Sequence, residues 1–128
     1  MSCLFRSLSY YITNIDENDL RKIIVEYLEE DPIFVYPNER VSSLIKNEFS
    51  NMTLEKYLRQ MRKHSTWGGA IEIRAFCEIF LFKVEVVVLQ TGKIIEFIPA
   101  TWNNMLRREK SCRVLKITWN GFHYEPFR

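Results

Sequence analysis

The sequence predicts an α+β domain in which helices pack on a small, mostly antiparallel sheet. Three observations predict it. Apolar residues recur at helical spacing from Leu4 to Phe80, β-branched runs set off by glycine turns follow from Val84 to Phe127, and no repeat, low-complexity tract or linker divides the chain. With 128 residues, 47% hydrophobic and 27% charged, the chain has the size and texture of one globular domain spanning 1–128.

In the first half, Leu4, Leu8 and Tyr11 predict a short helix over Ser2 to Ile12, with Ser2 placed to cap its free amides. Leu20, Ile23, Ile24, Tyr27 and Leu28 make a second amphipathic stripe that Pro32 stops. Val41, Leu44, Ile45 and Phe49 predict a third helix. Leu54, Tyr57, Leu58 and Met61 predict a fourth, capped by Thr53 or Asn51. Trp67-Gly68-Gly69 interrupts the pattern as a tight turn, and Ile71 to Phe80 resumes it as a buried helix.

From Lys83 the period changes. Val84 to Leu89 and Ile94 to Ile98 form a hairpin about Thr91-Gly92, and Arg113 to Trp119 and Phe122 to Phe127 form another about Asn120-Gly121. Ala100 to Ser111 is polar and irregular.

Composition narrows the function. Eighteen basic and sixteen acidic side chains give a net charge of +2, too small a field to seek a polyanion, so no nucleic-acid partner is expected. The longest apolar run is far short of the roughly 20 residues that span a bilayer, and no secretory signal precedes the polar stretch Thr13 to Asp19; no membrane association is expected. Cys3, Cys77 and Cys112 form no C-x-x-C pair and no even set, which points to reduced thiols in a cytoplasm or nucleus.

A cysteine nucleophile needs a thiolate beside an imidazole that can return a proton to the leaving amine. Cys3 opens the first predicted helix, where free amides and the positive end of the macrodipole favour a negative sulfur. His123 follows the Asn120-Gly121 turn, and Glu125, two residues on, shares its side of the strand and is placed to orient the ring. By spacing alone, a packing cysteine and a structural histidine are the commoner readings.

Three longer segments add to this. Ser2-Cys3-Leu4-Phe5-Arg6-Ser7-Leu8-Ser9 comes first. Trp67-Gly68-Gly69-Ala70-Ile71-Glu72-Ile73-Arg74-Ala75 follows, leading into the Val84 to Leu89 strand, and Phe122-His123-Tyr124-Glu125 lies near the C-terminus. In this order they resemble the ovarian-tumour (OTU) family of cysteine proteases, with its Cys-Leu-Phe-Arg run, its Trp-Gly-Gly segment and its His-Tyr-Asp or His-Tyr-Asn ending. The resemblance implies a papain-like OTU fold and a deubiquitinating thiol protease that cuts after the C-terminal glycine of ubiquitin or a ubiquitin-like modifier. Catalytic roles fall to Cys3, His123 and Glu125, and the oxyanion hole to the backbone amides of Ser2 and Cys3. The channel for the modifier's tail falls to Trp67, Gly68, Gly69, Phe122 and Tyr124. No metal or cofactor is implied, and the expected protein is a monomer. Its compact length resembles viral or otherwise minimal family members acting in a host cell.

Two departures from the family pattern keep an alternative open: a catalytically weak or inactive ubiquitin-binding module on the same fold. Only Met1 and Ser2 precede Cys3 where the family has a longer loop, and Glu125 stands where Asp or Asn is usual. Trp67 is read equally as a core aromatic, and Cys77 and Cys112 as packing residues. Lys56, Arg59, Arg62, Lys63 and His64 read as a solvated basic face, and Glu26, Glu29, Glu30 and Asp31 as a solvated helix end.

Overall fold

The structure is a computed structural model that describes residues 3–35, 39–99 and 113–127, with backbone alone at Cys3 and Val35. Ser2 with its proposed cap, the Ala100 to Ser111 stretch and Cys112 lie outside the described residues.

Helix α1 (Cys3–Ser9) buries Leu4, Phe5 and Leu8, and its last turn unwinds through Tyr11 and Ile12. Helix α2 (Glu17–Glu29) starts where the Asp16 carboxylate accepts the Asp19 amide at 2.8 Å. Its buried stripe is Leu20, Arg21, Ile24, Val25 and Leu28; Ile23 and Tyr27 are only half-buried, so the inward face is turned slightly from the one the apolar pattern gives.

Strands β1 (Ile33–Val35) and β2 (Glu39–Arg40) form a small antiparallel ribbon that pairs Ile33 with Arg40. The sequence reading did not anticipate it, because elements this short carry no alternation to detect.

Helix α3 (Val41–Glu48) buries Val41 and Ile45. Helix α4 (Leu54–Met61) is capped by the Thr53 hydroxyl, which accepts the Lys56 amide at 3.1 Å, while Asn51 sits in the left-handed region at φ 68°. Helix α5 (Ala70–Phe80) is apolar nearly all round. Ile71, Ile73, Ala75, Phe76 and Cys77 are buried, as suits a helix enclosed by others and by the sheet. No helix among the described residues is long and apolar enough to cross a membrane.

The sheet has strand order β4-β3-β5-β6. Strand β3 (Phe82–Val88) pairs antiparallel with β4 (Ile94–Phe97), and β5 (Arg113–Trp119) antiparallel with β6 (Tyr124–Pro126), so both expected hairpins form. The hairpins join through a parallel β3–β5 ladder, Phe82 to Val88 against Arg113 to Trp119, which makes the sheet mixed. A period of two reports which face is buried and carries no information on a neighbour's direction. Phe82, Val84 and Val86 on β3 and Leu115 and Ile117 on β5 supply the inner face; α5 packs on β3, and α1 packs on β6. Layering helices on this one face sets α1 alongside β6 and brings the start of the chain near its end.

Candidate active site

The loop from β5 to β6 presents His123. Asn120-Gly121 predicts a two-residue turn, but the ladder closes at Trp119 and Tyr124, leaving four loop residues, Asn120–His123. The Asn120 side-chain oxygen accepts the amides of Phe122 at 2.9 Å and His123 at 2.7 Å, and Gly121 takes φ 98°. This is an Asx turn closed by one side chain. The Asn120 amide donates to the His123 carbonyl at 3.2 Å, and the Gln90 side chain donates to the Asn120 carbonyl. His123 is therefore the last loop residue before β6, on a backbone fixed at both ends.

The orientation of α1 follows from its far end. The Tyr11 hydroxyl donates to the Lys116 carbonyl at 2.6 Å and lies 3.4 Å from the carbonyl of Phe127, just beyond the end of β6. With α1 packed along β6, its Cys3 end points toward the start of that strand, where His123 and Tyr124 lie.

The Trp67-Gly68-Gly69 segment bridges the same two elements. A Cβ built on Gly68 would stand 2.8 Å from Leu4 Cδ2 and 3.1 Å from Phe5 Cε2, so the Gly68 backbone lies against the first turn of α1 with no room for a side chain. One residue earlier, the half-exposed Trp67 indole lies 5.8 Å from the His123 imidazole, centroid to centroid, with the planes at 42°. A chain of direct contacts thus runs from the residues following Cys3, through Gly68 and Trp67, to His123.

Other predicted site residues stand apart. Glu125 pairs with Thr118 and is exposed on the sheet face opposite Tyr124, whose ring packs on Trp119 at 4.6 Å. Among the described residues no hydrogen bond or ion pair joins Glu125 to His123. Phe122 is 67% exposed at the loop tip, and Tyr124 is half-buried. Gly69 has open space where a Cβ would stand. The basic and acidic runs meet through an Arg62–Glu29 ion pair, and Arg59 lies 3.4 Å from Glu55 of its own helix.

Sequence reasoning missed a buried polar cluster behind Trp67. Arg21 donates to the carbonyls of Met61 at 2.8 Å, His64 at 3.2 Å and Thr66 at 2.9 Å, and its guanidinium carbon lies 4.3 Å from the Phe5 ring centroid. Burial lowers its pKa, against the opposing charges of Glu72 and Glu17. Glu72 accepts the Tyr57 hydroxyl at 2.5 Å and the Gly69 amide at 2.7 Å. Burial pushes the Glu72 carboxyl up to about 7, although the Tyr57 and Gly69 hydrogen bonds favour its charged form. Burial beside that carboxyl also raises the Tyr57 phenol. Two signals could have found the cluster: Arg21 sits inside the apolar stripe of α2, and Glu72 stands three residues after Gly69, the spacing of a carboxylate that reaches back to a helix's first amide.

Comparison with known proteins places these segments in a family. The family model of OTU-like cysteine proteases matches residues 2–124. A ubiquitin thioesterase OTU1 from Mus musculus is 29% identical over 132 residues, which cover 99% of this chain and 33% of that protein. A putative ubiquitin thioesterase 232R of Invertebrate iridescent virus 3 is 31% identical over 96 residues, 70% of this chain and 11% of that protein. The chain thus spans about a third of the length of the OTU1 relatives it matches. A solved OTU domain in complex with ubiquitin superposes with a TM-score of 0.70 at 25% identity, covering 97% of this chain and 62% of that one. The family match takes in Cys3, the Trp67 segment and His123 together, and this chain belongs to the OTU-like cysteine proteases.

Proposed function

We propose that the protein is a deubiquitinating cysteine protease that hydrolyses the bond after the C-terminal glycine of ubiquitin or a ubiquitin-like modifier. The observation that carries this reading is the Trp67–His123 contact together with the seat of Gly68 on Leu4 and Phe5, which joins the three family segments in space. Names among the relatives support the substrate: ubiquitin thioesterases by sequence, and an OTU domain solved with ubiquitin by structure.

In the proposed reaction the Cys3 thiolate adds to the carbonyl carbon of the modifier's last glycine, and backbone amides at Ser2 and Cys3 receive the negative oxygen. The imidazolium of His123 protonates the departing amine as the C–N bond breaks, leaving a thioester. His123 then takes a proton from water, whose oxygen adds to the thioester carbonyl and expels the thiolate. Glu125 is assigned to orienting His123. Trp67, Gly68 and Gly69 are assigned to the tail channel with Phe122 and Tyr124, where the open space at Gly69 leaves room for a glycine-ended tail to pass. The proposed setting is a monomer in the cytoplasm or nucleus. The similarity to an iridescent-virus protein supports a viral protein acting in its host.

One observation favours a second reading, an OTU-like module that binds ubiquitin with weak or no turnover: the exposed Glu125 makes no bond to His123 among the described residues. A ubiquitin probe carrying a C-terminal electrophile separates the two. Covalent capture by the wild type, lost in Cys3→Ala and reduced in His123→Ala, is the expected result. Ubiquitin binding without capture would replace the protease by the binding module.

A further inference from the structure

The segment that carries Trp67 to His123 has no regular structure of its own. Between the end of α4 at Met61 and the start of α5 at Ala70, only turns and bends occur. A free loop would let the indole wander, and a tilted contact between two exposed rings is too weak to hold it there.

Two buried ionisable side chains flank the segment. On its N-terminal side Arg21, 3% exposed, grips the carbonyl of Thr66, the residue before Trp67, along with those of Met61 and His64. On its C-terminal side Glu72, 1% exposed, holds the amide of Gly69, the residue after Gly68. The Tyr57 hydroxyl fixes the other Glu72 oxygen. Arg21 also lies over the Phe5 ring, and Phe5 touches the Gly68 backbone. The contacts close a ring: Arg21, Thr66, Trp67, Gly68, Phe5 and back to Arg21.

Arg21 Nε has no hydrogen-bond partner among the described residues although it is buried, so the guanidinium is placed to serve the loop carbonyls at the expense of its own full complement of bonds. A packing role alone would be met by an aliphatic side chain, as in the rest of the α2 stripe.

We propose that Arg21 and Glu72 are positioning residues that brace the Trp67–Gly68 segment at both ends, so that the indole holds the His123 imidazole over the nucleophile helix. They touch neither substrate nor reacting atoms; they act through Trp67. The role in turnover rests on the protease reading, but the positioning of His123 does not.

The test therefore has a readout that needs no ubiquitin. The indole's ring current is expected to displace the imidazole proton resonances of His123, which His64→Gln distinguishes from those of the other histidine. Trp67→Ala defines the unstacked shift. Glu72→Met is expected to move His123 most of the way to that value, and Glu72→Gln, which keeps a carbonyl for the Gly69 amide, to stay near wild type. With a fluorogenic ubiquitin substrate, Glu72→Met is expected to lower kcat about tenfold with KM changed less than twofold, and to add little in a Trp67→Ala background. If Glu72→Met does not fold, Tyr57→Phe removes one of the bonds that fix the carboxyl without opening a cavity, and must shift His123 in the same direction. Folded Glu72→Met and Arg21→Met proteins with wild-type His123 resonances would overturn the proposal. So would a Tyr57→Phe protein with unmoved resonances where Glu72→Met fails to fold. A wild type that shows these shifts but hydrolyses no ubiquitin would refute the protease reading and leave the brace standing.

Discussion

The Trp67 indole and the His123 imidazole stand 5.8 Å apart at 42°, one on the loop before α5 and the other on the loop before β6, 56 positions apart in sequence. Trp67 is 49% exposed, so removing its ring opens no core cavity. Trp67→Ala is expected to change unfolding free energy by less than about 1 kcal/mol. The imidazole loses its flat neighbour, and misplacement by an ångström of a group in the catalytic role proposed for His123 costs up to about a hundredfold in rate. Hydrolysis of a fluorogenic ubiquitin substrate is expected to fall at least tenfold in kcat, with stability by urea titration nearly unchanged. Equal losses of stability and rate would mean that the indole is simply packing.

The two glycines after Trp67 make opposite predictions. Gly68→Ala would set a methyl 2.8 Å from Leu4 Cδ2 and 3.1 Å from the Phe5 ring, and both neighbours are buried, so α1 has to give way. Overpacking of this kind costs about 1–3 kcal/mol, and here it pries the first turn of α1 from Trp67, so activity should fall further than stability alone explains. Gly69→Ala meets nothing within 4 Å. Its stability is expected to fall by no more than about 1 kcal/mol, the cost of alanine at the N-cap of α5, while KM for a ubiquitin substrate rises because the methyl enters the proposed tail channel. Thermal melts and initial rates on the pair decide this, and an unchanged KM in Gly69→Ala would remove Gly69 from the channel.

The elements were legible because their burial is periodic: Leu20, Ile24 and Leu28 on α2 and Phe82, Val84 and Val86 on β3 write the inward faces directly. The parallel pairing of β3 with β5 was not legible, since alternation is blind to strand direction, and the β1–β2 ribbon is too short to show a pattern. In the site, His123 and the Trp67 segment were readable through their resemblance to a family. The Asn120-Gly121 pair foretold a turn but not its length, because the length depends on the Asn120 side chain taking two amides. Arg21 and Glu72 read as solvated because charge usually marks a solvated face; the place of Arg21 in the α2 stripe and the spacing of Glu72 from Gly69 point the other way, and contacts with the 61–69 loop give the reason.

Cys77 provides an internal control for thiol chemistry. It is fully buried on α5, and burial pushes its thiol up to about 12, so almost no thiolate exists near neutrality. Iodoacetamide applied to the native protein at pH 7.5 is expected to leave Cys77 unmodified, as read by peptide mapping, and to modify it fully once denaturant is added. Substantial labelling of Cys77 in the native state would show that α5 opens readily and is not the rigid base that the Gly69 end of the brace requires.

Glu72 sets a pH dependence whose sign is fixed. Its carboxyl moves from the ordinary 4.5 to about 7 on folding, chiefly by burial, so between those values the folded chain holds a proton that the unfolded chain has released. The stabilisation is complete below the unfolded value, declines as pH rises, and is gone above about 7. At 1.36 kcal/mol per unit the loss amounts to about 3 kcal/mol. Glu72→Gln cannot titrate, and the Tyr57 hydroxyl can turn to accept from the new amide while the amide oxygen takes the Gly69 N–H. Urea titrations from pH 4.5 to 8 are therefore expected to show the wild type losing stability relative to Glu72→Gln, with the gap widening up to pH 7 and constant beyond. Parallel curves across that range would mean that the buried carboxyl ionises in the fold as easily as in water, through closer compensation by Arg21 and Tyr57 than their geometry provides.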